Sequence, residues 1–260
     1  MELEKLLDFE YFAKHFFSIR TKSGEIKFLH FNKAQKHLHK RLNEQLKKTG
    51  KVRAVVVKGR QQGCSTYIQG RYSHRVITTR GKMAYILTHE TEATSNLFSM
   101  TKRYIENLPH GLCPVPDSSA ANKLHFKSFD SGYAVGTAGN KGAGRSQTLQ
   151  LFHGSEVAFW PHAEEHAKGV MQAIPREDGT EIILESTANG MGNYFHHMWQ
   201  ASLNGNSEYQ AIFLPWYWQD EYTSSIKGFI PTKEEEALYE NHKKKWFNVS
   251  SSLLASFENQ

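Results

Sequence analysis

Residues 52–66 read VRAVVVKGRQQGCST, and this stretch decides how the chain folds. A β-branched run that ends in a glycine-containing turn and opens a helix at Ser-Thr aims successive backbone N–H groups at an anion. Set against the phosphate-cradling pattern G-x-x-x-x-G-K-[ST], Gly63 takes the second glycine and Ser65 the magnesium-binding hydroxyl, while Lys58 and Cys64 stand where the first glycine and the lysine are usual. The stretch is a deviant P-loop, and its bland alternative is an ordinary Gly-rich strand-to-helix turn. Without the loop lysine, Arg60 is the candidate to meet β- and γ-phosphate oxygens with a bidentate fork, and Lys58 is a second cation.

Working outward, helical periodicity predicts a helix over 3–17 and another over 33–48, ended by Thr49 and Gly50. Strand 52–57, helix 65–79, strand 83–88 and helix 92–108 follow as a βαβα unit. Pro109, Pro114 and Pro116 mark a loop. Residues 124–129 and 133–137 read as a hairpin around Asp130, Ser131 and Gly132. Strand 149–152, a helix with Pro161 at its first position, strand 181–184, helix 192–203 and strand 211–216 complete the series. Parallel strands need helical crossovers, so this alternation predicts an α/β fold: a mainly parallel sheet flanked by helices, of the ASCE-type P-loop NTPase kind, with the site beyond the strand C-termini.

The 260 residues are expected to form one large domain over 1–216, with N-terminal helices over 1–50, and a small peripheral subdomain or linker over 217–260. No apolar stretch is long enough to span a bilayer and no secretory leader is legible at the N-terminus, so no membrane partner is expected. Two cysteines, Cys64 and Cys113, make no disulfide framework and no C-x-x-C pair, which fits a reducing compartment. A formal charge of +6 and a pI near 9.1 favour a polyanionic partner, with the excess gathered partly in the lysines at 47, 48 and 51 and at 243–245.

Three further motifs fall at or before predicted strand ends. His153-Gly154-Ser155-Glu156 follows an apolar strand where nucleotide hydrolases carry a carboxylate pair. Glu156 is the candidate general base for the attacking water, and Ser155 can hold a magnesium-bound water by its hydroxyl. Next, Glu185-Ser186-Thr187-Ala188-Asn189-Gly190 gathers small hydrogen-bonding groups suited to sensing a γ-phosphate. The Gly-rich loop 136–145 ends in Arg145, a candidate either for an arginine finger reaching a neighbouring subunit's nucleotide or for contact with nucleic-acid phosphate. Each has a plain alternative as a solvated turn, but together and in this order they point to ATP and Mg2+.

Taken as an ordered set, Gln35 in Phe31-Asn32-Lys33-Ala34-Gln35, the R-x-x-G-x-[ST] loop, the apolar strand followed by Ser155-Glu156-Val157-Ala158-Phe159-Trp160, and Ser186-Thr187-Ala188-Asn189-Gly190 resemble the ATPase domain of viral large terminases, the DNA-packaging motors. The likeness spans roughly 32–214. It implies that Gln35 reads adenine, and that Gly59, Arg60, Gln61, Gln62, Gly63, Cys64, Ser65 and Thr66 hold the phosphates. It further implies that Glu156 is the catalytic carboxylate and that Ser186, Thr187 and Asn189 couple hydrolysis to motion. Cys64 and Ser155 depart from the commoner lysine and aspartate. The resemblance also implies double-stranded DNA as the partner, a homo-oligomeric ring, portal protein and small terminase subunit as further partners, and the host cell cytoplasm as the place of work. No set of acidic strand ends after Trp216 suggests the nuclease domain that large terminases usually carry, so DNA cleavage is not expected.

Two rival classes remain. His162-Ala163-Glu164-Glu165-His166 fits the inverted zinc-protease signature H-x-x-E-H, with Glu165 as its base, although Pro161 and Gly169 leave it only a short helix. The missing loop lysine and Ser155 also fit a nucleic-acid-binding module without hydrolysis.

Overall fold

A computed structural model describes residues 3–120, 122–139, 148–219, 221, 230–237 and 239–241. The chain divides into two compact units, 1–220 and 221–260. In chain order the first holds α1 (Leu3–Leu7), α2 (Phe9–Phe16), β1 (Ser18–Arg20), β2 (Ile26–Phe28), α3 (Lys33–Thr49), β3 (Val52–Lys58), α4 (Cys64–Thr78), β4 (Met83–Thr88), α5 (Thr91–Glu106), β5 (Ser118–Ala120), β6 (Lys123–Phe126), β7 (Ser131–Thr137), β8 (Leu151–Ser155), α6 (Ala163–Met171), β9 (Glu181–Ser186), α7 (Tyr194–Leu203) and β10 (Gln210–Leu214).

Local chemistry sets these boundaries. The Asp8 carboxylate accepts from Tyr11 N at 2.7 Å and so starts a new helix, which splits the single helix expected over 3–17. Asn32 and Gln35 form a reciprocal capping box at the head of α3, and Gly50 closes that helix at φ 73°. Pro161 does not sit at a helix start. Helix α6 begins at Ala163, after His162 in the left-handed region at φ 48°, so the proline precedes the turn instead of opening it.

The main sheet runs β10-β3-β9-β8-β4-β7-β6-β5. Its pairs from β10 through β7 are all parallel, and β6 and β5 add an antiparallel edge. The expected hairpin is present as β6–β7, with Asp130 at φ 45° in its turn, but β7 also joins β4 in parallel and is part of the main sheet. A separate β1–β2 pair is an addition that the sequence pattern does not predict.

Strand β3 is apolar on both sides because both of its faces are covered. Ala54 and Val56 belong to a core shared with Leu38, Leu42, Tyr67, Ile68 and Tyr72 of α3 and α4, whereas Val55 faces a second core with Leu184, Val170 and Phe195. Arg53 interrupts the run yet is 2 % exposed. Its guanidinium donates to the carbonyls of Val52, Pro175 and Thr180 and to Thr180 Oγ1, so the charge does not break the strand.

Helix α4 is fixed at the opposite end of the sheet from its own first turn. Arg71 binds both oxygens of Glu181 and Arg75 binds one, at 2.8–3.0 Å, with Glu181 fully buried. Among the described residues no helix is long and apolar enough to cross a membrane. In the second unit residues 233–237 are helical, and Thr232 and Glu235 cap the first turn reciprocally.

Candidate active site

Strand β9 lies between β3 and β8, so three strand ends meet side by side. Register pairs Glu185 with Val56 on one side and with Ser155 on the other, and the residues just beyond these pairs, Lys58 and Glu156, flank Ser186 and Thr187. Parallel strands about 4.8 Å apart put such side chains within direct reach of one another.

The loop after β3 is held from behind. Gln62 is 1 % exposed, its Oε1 accepts from Gly59 N at 2.8 Å and its amide N–H donates to the carbonyl of Pro215. Gly59 has no room for a side chain, since a Cβ there would lie 2.9 Å from that of Trp216. Gly63 sits at φ 73°, and a Cβ on it would come within 2.6 Å of Gln35 Nε2. Gln61 is also left-handed, at φ 55°.

Lys58 is the centre of charge. Its Nζ lies 2.6 Å from Glu156 Oε1 and 3.1 Å from Glu185 Oε2. Burial alone would pull the Lys58 pKa down, but the two carboxylates, Glu185 before Glu156, outweigh it and hold the ammonium charged well above its ordinary range. Glu185 is fully buried. Burial favours its neutral form, and the Lys58 charge followed by the contact to His153 reverses that, so its pKa falls below the usual carboxylate range.

Around Glu185 the contacts converge. Ser65 Oγ and Ser155 Oγ both donate to Glu185 Oε1, at 2.8 and 2.9 Å, and His153 Nε2 lies 3.3 Å from the same oxygen. The Gln69 amide nitrogen is 2.8 Å from His153 Nδ1, extending the chain of contacts back into α4.

Glu156 occupies the residue after β8 in the left-handed region, at φ 52°. Its Oε2 accepts from Thr187 N at 3.1 Å, Ser186 Oγ at 3.2 Å and Thr187 Oγ1 at 3.3 Å. Ser186 Oγ also accepts from Ala158 N, and Asn189 Nδ2 donates to the Ala158 carbonyl. The Ser186-Thr187-Asn189 motif therefore grips the Glu156 segment directly. Lys58, Arg60, Gln61, His89, Glu156, Phe159 and Thr187 line a cavity of about 300 Å³ in front of these groups.

Several expected site residues are placed differently from expectation. Gln35 is 4 % exposed, its Oε1 accepts from Asn32 N and its Nε2 donates to the Gly63 carbonyl, so its amide ties α3 to the loop and is not turned outward toward a base. The Cys64 thiol is buried and pushed well above its usual pKa by burial, so it supplies no charge in place of a lysine. Ser155 is buried with its hydroxyl committed to Glu185. Arg145 lies outside the described residues.

The H-x-x-E-H signature does not assemble. His162 precedes the helix, His166 Nε2 accepts from Gly139 N, and among the described residues no three His, Cys, Asp or Glu side chains form a metal-binding group. Glu185 is the functional candidate that sequence reasoning missed. The pattern makes it the first residue of a polar turn, whereas β9 runs two residues farther than its apolar portion.

No protein-family model matches the sequence. The fold is that of phage large terminase ATPase domains. It superposes on the large terminase of bacteriophage HK97 with a TM-score of 0.65 at 12% identity, covering 82% of this chain and 44% of that one. The Thermus phage P74-26 large terminase ATPase domain gives 0.54 at 17% identity, covering 72% and 85%. A large terminase from a thermophilic bacteriophage, in complex with ATP-gamma-S, gives 0.57 at 14% identity, covering 76% and 48%. The chain thus spans about half or less of the two longer terminase chains.

Proposed function

We propose that this chain is an ATP-hydrolysing motor domain of the large-terminase kind, which drives double-stranded DNA into a viral procapsid. The observation that carries the reading is Lys58, an almost fully enclosed ammonium set between Glu156 and Glu185 at the mouth of a glycine-flanked strand-to-helix loop. A charged lysine in that position is a ready partner for phosphate oxygens and takes over what the loop lysine does elsewhere. The fold it shares with the thermophilic-phage terminase in complex with ATP-gamma-S supports the same reading.

In this account the triphosphate lies between the 59–66 loop and Glu156. Backbone N–H groups at the start of α4 and the Lys58 ammonium meet the phosphates, and Arg60, which also lines the cavity, adds a bidentate donor. The oxygen donors of Ser65 and Glu185 suit a hard divalent cation, with Ser65 as the direct ligand and Ser155 holding the Glu185 carboxylate. Mg2+ supplies neutralisation of charge on the β- and γ-phosphate oxygens when bound. Glu156 orients the attacking water and accepts its proton at Oε1 once the γ-phosphate has drawn Lys58 away from that oxygen. Ser186, Thr187 and Asn189, which hold Glu156 and the Ala158 segment, report the loss of the phosphate to the rest of the domain.

DNA contact is expected mainly at phosphates and is therefore salt-sensitive. A homo-oligomeric ring, in which Arg145 of a neighbouring copy reaches the nucleotide, and partnership with a portal protein and a small subunit in the host cytoplasm complete the proposal. The domain boundary near 216 and the peripheral role of 217–260 belong to the same reading.

Phosphate release measured with and without double-stranded DNA tests it. Glu156→Gln should retain nucleotide binding and lose turnover by about 10²–10⁴-fold, the usual worth of a positioned general base. Unchanged turnover in this variant would remove Glu156 from the reaction, and a wild-type chain with no turnover in the presence of DNA would leave a binding module without hydrolysis.

A further inference from the structure

Strand β9 carries two buried glutamates, and they are built differently. Glu181 faces Arg71 and Arg75, which occupy both of its oxygens at 2.8–3.0 Å with more positive charge than it can neutralise. That is a structural carboxylate. Glu185, four residues on, has one shared ammonium, two hydroxyls and the His153 ring beside it. Its Oε1 accepts from Ser65 and Ser155, while its Oε2 has Lys58 at 3.1 Å but no aligned hydrogen bond.

Two carboxylates, Glu156 and Glu185, both lie against the Lys58 ammonium. Glu185 is fully buried, yet its carboxylate reaches the part-exposed Ser65 at the start of α4. Ser155 stands at the usual position of an acidic residue that organises the water shell of the cation, and its hydroxyl is neutral and already donated to Glu185. The register places Glu185 directly beside Ser155, and its extra methylene lets a carboxylate from the neighbouring strand reach the Ser65 hydroxyl that the absent aspartate would have faced.

We propose that Glu185 is the carboxylate that organises the divalent cation of the bound nucleotide, replacing across one strand spacing the acid that is missing at Ser155. The inference rests on the nucleotide-binding reading given above and deepens it. Ser65 and Glu185 form one unit: the hydroxyl is the direct ligand, and Glu185 both orients that hydroxyl and accepts from the cation's water. His153, backed by Gln69, holds the carboxylate in place from beneath.

The test is the affinity for a fluorescent, non-hydrolysable ATP analogue, measured with Mg2+ and again with EDTA, on the full chain. Wild type should bind more tightly with Mg2+. Glu185→Gln should lose about tenfold of that enhancement, a typical coupling between two ligands, while its affinity in EDTA does not fall because a negative charge has been removed. Adding Ser155→Asp to Glu185→Gln should restore the Mg2+ dependence by returning the acid to the adjacent strand. Glu185→Asp, which keeps the charge and shortens its reach, should lose part of the enhancement and decides the matter if Glu185→Gln does not fold. Full Mg2+ enhancement in the folded Glu185→Gln or Glu185→Asp protein would overturn the assignment and leave nucleotide binding intact. A wild-type chain that binds no nucleotide under either condition would overturn the underlying reading and this inference with it.

Discussion

Single residues at this site are constrained by space as much as by charge. Gly24 and Gly63 are both left-handed, at φ 86° and 73°, but only Gly63 faces another side chain across its missing Cβ. Alanine at either position meets backbone strain of about 1–2 kcal/mol. At Gly63 it also displaces the Gln35 amide that tethers the loop. Gly63→Ala should therefore weaken nucleotide binding measurably by equilibrium titration, whereas Gly24→Ala lowers the unfolding midpoint alone. Equal affinities in the two variants would contradict the tether. The positions at this scale are legible in the sequence: Glu156 directly follows β8, Ser186 ends β9, and Gly63 and Ser65 flank Cys64, the first residue of α4. Glu185 is not legible, because two polar residues after an apolar run look like the start of a turn, and only pairing to β3 and β8 keeps them in the strand. Gln35 misleads for the opposite reason, since an amide able to read a base edge is equally able to cap a helix.

Among the elements, α4 carries the loop at one end and the Glu181 clamp at the other, and α2 covers its outer side. The His74 ring on α4 packs against Phe9 and Phe12 of α2 at centroid distances of 5.6 and 4.9 Å, and its Nε2 lies 2.8 Å from the Leu6 carbonyl. Burial is the main cause that lowers its pKa from 6.5 to about 4. The unfolded chain then binds more protons than the folded one between about pH 6.5 and pH 4. Stability is full above the upper value and falls through that window by up to about 1.4 kcal/mol per pH unit from this residue. Denaturant midpoints taken at pH 7 and pH 5 should show a steeper loss in wild type than in His74→Gln, and parallel slopes would remove His74 as the cause. The long periodic elements, α3, α4, α5 and the parallel strands, can be read from sequence within a few residues. The β1–β2 pair and the break at Asp8 cannot, because three-residue strands and a single capping carboxylate leave almost no periodic trace.

For the whole molecule, the strand order is what converts separate motifs into a site. The proposed phosphate loop and general base follow β3 and β8, which are not neighbours, and β9 between them carries Glu185 and ends at Ser186, just before Thr187 and Asn189. Alternation of strands and helices predicts the parallel sheet, but not this order, since crossover direction is not written in any one segment. The account stands on one placement, that a triphosphate lies against Lys58 and the 59–66 loop with Glu156 facing its γ-phosphate. A crystal structure of the chain with Mg2+ and ATP-gamma-S measures this most directly. It should show the γ-thiophosphate in contact with Lys58 Nζ, the Lys58–Glu156 pair parted, and Ser65 and Glu185 beside the cation. A nucleotide bound in the separate cleft lined by Trp160, Tyr194 and Met198, with the Lys58–Glu156 pair still closed, would contradict it.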